Sequence, residues 1–375
     1  MEDWLNDSRD LKYNLSSSGC EDFYLKDFLK LINEDWSVFD TIYLGDNDTL
    51  GSLQLRQEIA KSYSQVNVNE IMVANGTSEA LFCLFNELLD KDDEVIVPFP
   101  AFQCLYEIPK SIGCKLKYLN LLECDQWRLD IDKLENMISD KTKLIIINNP
   151  HNPFGWTLSD NEIIRIAKIA KKHNTYLLFD EHYRFLPLTE DSKIISSGYD
   201  LCKNILEDHV FATGSIIKCF GIVGIRIGWL LSNQHMLNLC RDYKDYITHT
   251  IPEITDCIAY LALKNKEIII SVMKKRIIAN LKYLNEIMSR NQHVFEYKKP
   301  TGGIVCFPKL KNSINTNDFC EHLLKKYKVS VLPGSSFEIK DHIRINIGVE
   351  PLKFQYAMDL VEKCVDDFIK PESIV

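Results

Sequence analysis

Four short runs of this chain carry residues that can do chemistry. Asn148-Asn149-Pro150-His151-Asn152-Pro153-Phe154-Gly155 closes one apolar stretch, and Asp180-Glu181-His182-Tyr183 closes another. Thr213-Gly214-Ser215-Ile216-Ile217-Lys218 follows, then Gly224-Ile225-Arg226-Ile227-Gly228-Trp229. They supply an amide, a carboxylate, a phenol, an amine and an arginine. An amine can condense with an aldehyde, a carboxylate can face a ring cation, and an arginine can clamp a phosphate. That set suits pyridoxal 5'-phosphate held as a Schiff base, with an Asp on the pyridinium nitrogen.

Each residue also has a plainer use. Lys218 reads first as a solvated lysine; its position between a buried strand and a Gly-rich apolar segment favours an amine made reactive by nearby cations. Asp180 ends an apolar strand, where a carboxylate needs a donor or a cation, and a structural salt bridge would serve as well as a pyridinium. Tyr183 and Asn152 could both donate to a phenolate oxygen, although Asn-Pro is also a common loop signal. Gly76-Thr77-Ser78 follows a strand and opens a helix; it is either a capped start or a phosphate seat. Arg344 lies between Ile343 and Ile345, and its fork suits a substrate carboxylate or an internal ion pair. Phe102 could stack on a flat ring or pack in the core.

The elements that must position these groups alternate. Ile71–Ala74, Glu94–Val97, Lys143–Ile147, Tyr176–Phe179 and Val210–Ala212 read as buried strands. Helical patterns at Glu79–Leu89 and Asp160–His173 lie between them. Buried apolar strands separated by helices predict a mainly parallel α/β sheet, with ligands beyond the strands' carboxyl ends. After about residue 250 the pattern changes to a long helix near Lys264–Ser289, strands at Gly302–Phe307, Val329–Gly334 and His342–Ile347, and a helix at Leu352–Phe368. The expected organisation is an N-terminal segment, 1–45, packing with the smaller unit; a large domain, 46–255; and a small α+β domain, 256–375.

With 375 residues the chain is long enough for two cores. Its 46% apolar and 26% charged residues are ordinary for a globular protein. A net charge of −9 argues against a nucleic-acid partner, which needs a basic face. The 12 cysteines show no Cys-x-x-Cys pair and no zinc-like spacing, so no metal is expected. Residues Met1–Asp7 lack the basic and apolar regions of a signal peptide, and no apolar run approaches the roughly 20 residues of a membrane span. Reduced thiols in a cytoplasmic protein are the resulting expectation.

Taken together, the motifs resemble the fold-type-I pyridoxal phosphate enzymes, the class I and II aminotransferase superfamily, over about residues 43 to 350. The resemblance implies an α/β fold, a large domain with a mainly parallel seven-stranded sheet between helices, and a smaller α+β domain. It implies that Lys218 forms the internal aldimine and carries protons, and that Asp180 keeps the ring nitrogen protonated. Asn152 and Tyr183 would hold the ring oxygen. Ser215, Arg226 and the backbone of Gly76, Thr77 and Ser78 would hold the phosphate. Phe102 would stack on the ring and Arg344 would bind the substrate carboxylate. Tyr43 is similar to a tyrosine that reaches a phosphate across a homodimer interface. Three residues depart from the family pattern: Phe154 where Thr is usual, Ile217 before the lysine, and His182, an imidazole that could tune ring protonation, move protons or pack outward.

The cofactor leaves the reaction open. Ser16-Ser17-Ser18-Gly19 and Asp180-Glu181-His182-Tyr183-Arg184-Phe185 also look like those of arginine cyclases of the capreomycidine and enduracididine type. Such enzymes would use the quinonoid's electrons to expel a hydroxyl from a hydroxylated arginine and close the guanidine onto the chain. A guanidinium needs carboxylates, and Glu21 and Asp22, beside Gly19, are candidates; both also read as solvated surface charges. Arginine cyclisation is the reading carried forward, with amino-acid:2-oxo-acid transamination as the alternative. A non-catalytic regulator on the same fold is a more distant one.

Overall fold

A seven-stranded sheet occupies the centre of the molecule. The computed structural model describes residues 1–188, 194–311 and 314–369, so the last residues of the C-terminal unit lie outside the described residues. The strands are β1 (Ile71–Ala74), β2 (Glu94–Phe99), β3 (Lys115–Asn120), β4 (Thr142–Asn148), β5 (Tyr176–Asp180), β6 (Val210–Ser215) and β7 (Gly228–Leu231). Their spatial order is β1-β7-β6-β5-β4-β2-β3, and β7 alone runs against its neighbours.

Side chains alternate across each strand, and here both faces are dry. Ile145, Ile147, Leu177 and Phe179 join one core with Ile163, Ile166 and Ala170 of α2 (Asp160–Lys172). Leu144, Ile146, Leu178 and Phe211 join the other with Ala80, Leu81, Leu84 and Phe85 of α1 (Thr77–Leu88). A sheet covered on both faces needs no polar alternation, which is why these strands read as continuous apolar runs. Helix α2 starts at a capping box made by Ser159 and Glu162.

Two strands escape the sequence pattern. β3 is an edge strand, Lys-Leu-Lys-Tyr-Leu-Asn, and most of its side chains are not buried. β7 hides in the Gly-rich segment after Arg226 and pairs antiparallel with β6.

The smaller unit centres on the strand Ile343–Asn346, flanked antiparallel by Val305–Cys306 and Leu332–Pro333. Helices α3 (Lys266–Arg290) and α4 (Pro351–Ile369) pack on each other beside it. Two expected strands are shorter than their apolar runs. Gly302–Phe307 is strand at Val305–Cys306 only. Val329–Gly334 breaks at Val331 because its halves pair with different partners: Val329–Ser330 with Tyr13–Asn14 in parallel, and Leu332–Pro333 with Ile343–Asn346. A division at 255/256 would fall inside the helix Glu253–Lys264, which packs on Leu53–Ala60. There Asp256 accepts from the Ser52 N–H at 3.1 Å and the Ser52 hydroxyl at 2.5 Å. We propose placing the division at Asn265, where the chain passes from that helix to α3.

The N-terminal segment ties the two units together. Leu15 N–H donates to Ser330 O, Asn346 N–H to Leu15 O, and Glu21 N–H to Gly348 O. On the other side Cys20 N–H donates to Lys218 O and Phe23 N–H to Gly221 O. Among the described residues no helix is long and apolar enough to cross a membrane, and no cluster of His, Cys, Asp and Glu could hold a metal ion.

Candidate active site

The carboxyl ends of β4, β5 and β6 bring three polar side chains into one row. Asn148 pairs in register with Asp180, and Asp180 with Thr213, and in-register residues share a face of the sheet. Asn148 Nδ2 accordingly donates to Asp180 Oδ2 at 3.1 Å, and Thr213 Oγ1 donates to Oδ1 at 2.9 Å. Asp180 is 1% exposed. Burial pushes its carboxyl up to about 7, against the Thr213 hydrogen bond and the charge of Lys218. Asn148 and Thr213 are site residues that the sequence reading passed over; their signal is that each closes or nearly closes an apolar run.

Because β7 returns antiparallel beside β6, with Ser215 opposite Gly228, the connection from Ile216 to Ile227 turns back at this same edge. It carries Lys218 and Arg226. Arg226 adopts φ 54°, in the left-handed region, and its guanidinium lies against the start of α1. Gly76 has φ +81°, and a Cβ there would stand 2.7 Å from Arg226 Nη2. A Cβ on Gly228 would stand 2.6 Å from the Thr77 nitrogen. Helix α1 has no side-chain cap, so its first N–H groups lack the usual internal acceptor. Thr77, Ser78 and Arg226 line a cavity of about 470 Å³ together with Phe102, His182, Lys218 and Arg344.

Next to it is a void of about 40 Å³ walled by Ser18, Phe102, Asn148, Asn152, Asp180, His182, Tyr183 and Lys218. Lys218 Nζ donates to Ser18 Oγ at 3.1 Å, and Tyr183 Oη donates to the Ser18 carbonyl at 3.1 Å. Burial holds the Tyr183 phenol up at about 12, although Arg344 pulls the other way. Arg344 is 2% exposed; it donates to Asn152 Oδ1 at 3.1 Å and to the Ser16 carbonyl at 2.7 Å. Ser18 stands out in the sequence only within Ser16-Ser17-Ser18-Gly19, and its contact with Lys218 spans 200 positions.

His182 does not pack outward. Its Nδ1 is 2.8 Å from Ser215 Oγ, its Nε2 bonds Thr77 Oγ1, and Nε2 is 3.9 Å from Asp180 Oδ1. Burial, with the charges of Lys218 and Arg226, pushes the imidazole down to about 3, so it is neutral here. Ile217 is buried beside it, and Phe154 points away, stacked on Trp127 at 4.7 Å.

Across Ser18 a cavity of about 670 Å³ is lined by Ser17, Gly19, Glu21, Asp22, Lys218 and Asn346, among others. Asp22 accepts from the Val223 N–H at 2.7 Å; burial raises its carboxyl while the charge of Lys218 lowers it. Glu21 is committed elsewhere: it pairs with Lys353 and accepts from the Glu350 N–H at 2.7 Å. The Gly19 carbonyl accepts from Asn346 Nδ2 at 2.8 Å. Tyr43 is 81% exposed and lines neither cavity.

The family model of class I and II aminotransferases matches residues 43–361. The chain belongs to that family. Among curated relatives of this aminotransferase-family chain, capreomycidine synthase from Streptomyces vinaceus is 27% identical, covering 93% of this chain and 88% of its own length. An aspartate aminotransferase from Pyrococcus horikoshii is 28% identical, covering 90% and 85%. Among solved structures, a PLP-dependent aminotransferase from Streptococcus suis superposes with a TM-score of 0.91 at 26% identity, covering 99% of this chain and 98% of that one. The PLP-dependent cyclase OrfR gives 0.89 at 21% identity, covering 98% and 96%, a likeness of fold alone.

The family's cofactor is pyridoxal phosphate, and this member's cavity fits it. A glycine at positive φ with a guanidinium against it, beside an uncapped helix start, makes an anion seat. At the other end a buried carboxylate with two neutral donors calls for a cation. Lys218 lies on the wall between them. This aminotransferase-fold chain is a PLP-dependent enzyme acting on an amino-acid substrate.

Proposed function

We propose that the enzyme dehydrates and cyclises a hydroxylated L-arginine to a cyclic guanidine amino acid. The observation that carries this reading is the Ser16–Asp22 segment. It runs directly over Lys218 and brings a carboxylate, Asp22, to the rim of a roomy cavity beside the reactive amine. A guanidinium side chain suits that carboxylate. Capreomycidine synthase among the relatives agrees with it.

Bound here, pyridoxal phosphate supplies an aldehyde for the substrate amine and a ring that accepts electrons from the α-carbon. Gly76, Thr77, Ser78, Ser215 and Arg226 would hold the phosphate. Asp180 would pair with the ring nitrogen, Asn152 and Tyr183 would hold the ring oxygen, and Phe102 would pack on the ring. Arg344 binds the substrate carboxylate in place of the Ser16 carbonyl. Lys218 carries the α-proton off and later returns one to the α-carbon. The hydroxyl leaves as water with the proton that Lys218 took from the α-carbon; the guanidine nitrogen then bonds to the chain carbon and gives up a proton, which Lys218 returns to the α-carbon, so no oxidant or second substrate is consumed. A second copy of the chain, brought against the exposed Tyr43, completes a homodimer.

Transamination is the second reading, favoured by the aspartate aminotransferases among the relatives. The reactions differ in co-substrate. Hydroxyarginines incubated with the loaded enzyme and no 2-oxo acid should give a product lighter by one water, with the amino group retained. Turnover that starts only when a 2-oxo acid is added would establish the aminotransferase instead. The non-catalytic alternative has no support in a chain that keeps Lys218 and Asp180 on one cavity.

A further inference from the structure

The phosphate seat contains a group that the chemistry above does not use. His182 is inserted between two hydroxyls, with Nε2 on Thr77 Oγ1 and Nδ1 on Ser215 Oγ. A hydroxyl has a single proton to give. Without an anion the count closes with a neutral ring: one nitrogen donates to one hydroxyl and the other nitrogen accepts. A phosphate changes the count. If Thr77 and Ser215 both turn their protons to phosphate oxygens, each is left only with lone pairs toward the ring. For both contacts to remain hydrogen bonds, both ring nitrogens must then carry hydrogen.

We infer that His182 takes up a proton when the phosphate binds, so the loaded seat holds an imidazolium shared between Thr77 and Ser215. The charged and titratable groups around it are Lys218, Cys219 (its thiol on the His182 carbonyl at 3.3 Å) and Arg226 on the β6–β7 connection, and Asp180 and Tyr183 on its own segment. The two cations oppose the charged ring in the anion-free chain. A dianion on Arg226 offsets them, and Asp180 at 3.9 Å favours the charged ring once ionised. The proton comes from solvent, and no bond other than N–H is made. His182 is thus a positioning residue with a charge coupled to occupancy.

The inference rests on the phosphate seat proposed above, and one experiment separates the two. Inorganic sulfate is the probe, because its charge is constant between pH 5 and 9 where that of phosphate is not. The full-length, cofactor-free chain is labelled with ¹⁵N-histidine, and the His182 signals are assigned with H182N. On adding sulfate, the ring nitrogens should move from one protonated and one bare to both protonated, and the pyridoxal phosphate-loaded enzyme should show the same pair. Calorimetry in two buffers should register proton uptake on sulfate binding that is lost in H182N. Sulfate affinity should strengthen by up to about tenfold per unit fall in pH while one proton is linked. If sulfate binds, and R226A weakens it, yet His182 keeps a bare nitrogen, this inference is wrong and the seat stands. Should sulfate fail to bind at all, the seat itself falls and the inference with it. Since the nitrogen shifts are read on the unsubstituted chain, a variant that misfolds cannot obscure the result.

Discussion

Lys218 and Asp180 carry the sharpest expectations at the scale of single residues. Borohydride reduction of the loaded enzyme, followed by peptide mapping, should place the reduced adduct on Lys218, and K218A should lose both the adduct and the visible absorption band. Label on another lysine would end the proposal. Asp180 makes a pH prediction in the cofactor-free chain. Its folded pKa is raised to about 7 from an ordinary 3.8, so the folded state holds the proton more tightly than the unfolded one. Stability from this group is therefore present at low pH and lost as pH rises from about 4 through 7. D180N, freed of the buried charge, should be more stable than the parent at pH 8 by about 1–3 kcal/mol, and the gain should shrink at pH 5; denaturant melts at the two pH values test this. Asp180, Lys218 and Arg344 were legible in the sequence because a charged side chain beside a buried apolar run has few uses. The bridging role of His182 was not, since it depends on two hydroxyls that come from α1 and β6.

At the scale of elements, what matters is where strands end. Runs such as Leu144–Ile147 announce β4, and the polar residue closing each run marks the edge where ligands bind. The same logic fails for β3, whose edge position leaves its residues half in water, and for β7, where the Gly-rich context masks the buried apolar run Trp229-Leu230-Leu231. β7 has a direct part in the site, because its reversal turns the chain back and brings Arg226 to Gly76. G76A should expose that dependence. The new methyl group meets Arg226 Nη2, and its backbone sits at φ +81°. We expect a stability loss of about 1 kcal/mol. Affinity for pyridoxal phosphate should drop by tenfold or more while affinity for pyridoxal, which has no phosphate, changes little. Equal loss for both compounds would mean that the glycine serves folding and not the anion.

For the whole molecule, exposed apolar residues and the N-terminal segment set the expectations. Tyr43, Leu44 and Tyr246 are each more than 80% exposed, and Phe82 and Tyr243 touch at the surface at 6.2 Å between rings, with Ile247 nearby in the chain. We propose that exposed apolar residues such as these meet a second copy. Light scattering should report twice the chain mass, and Y246E should shift the population toward the monomer. The order of assembly follows from the hydrogen bonds of Leu15, Ser16, Ser18 and Glu21 to Ser330, Arg344, Lys218 and Gly348. Ser16 is made 328 positions before its partner Arg344. The central sheet can form while translation continues, but the roof over Lys218 cannot be laid until the strand Ile343–Asn346 exists. Such distant pairings form late and slowly. A chain made only as far as Leu231 can therefore own every strand of its largest sheet and still be unable to shelter the Lys218 amine from water.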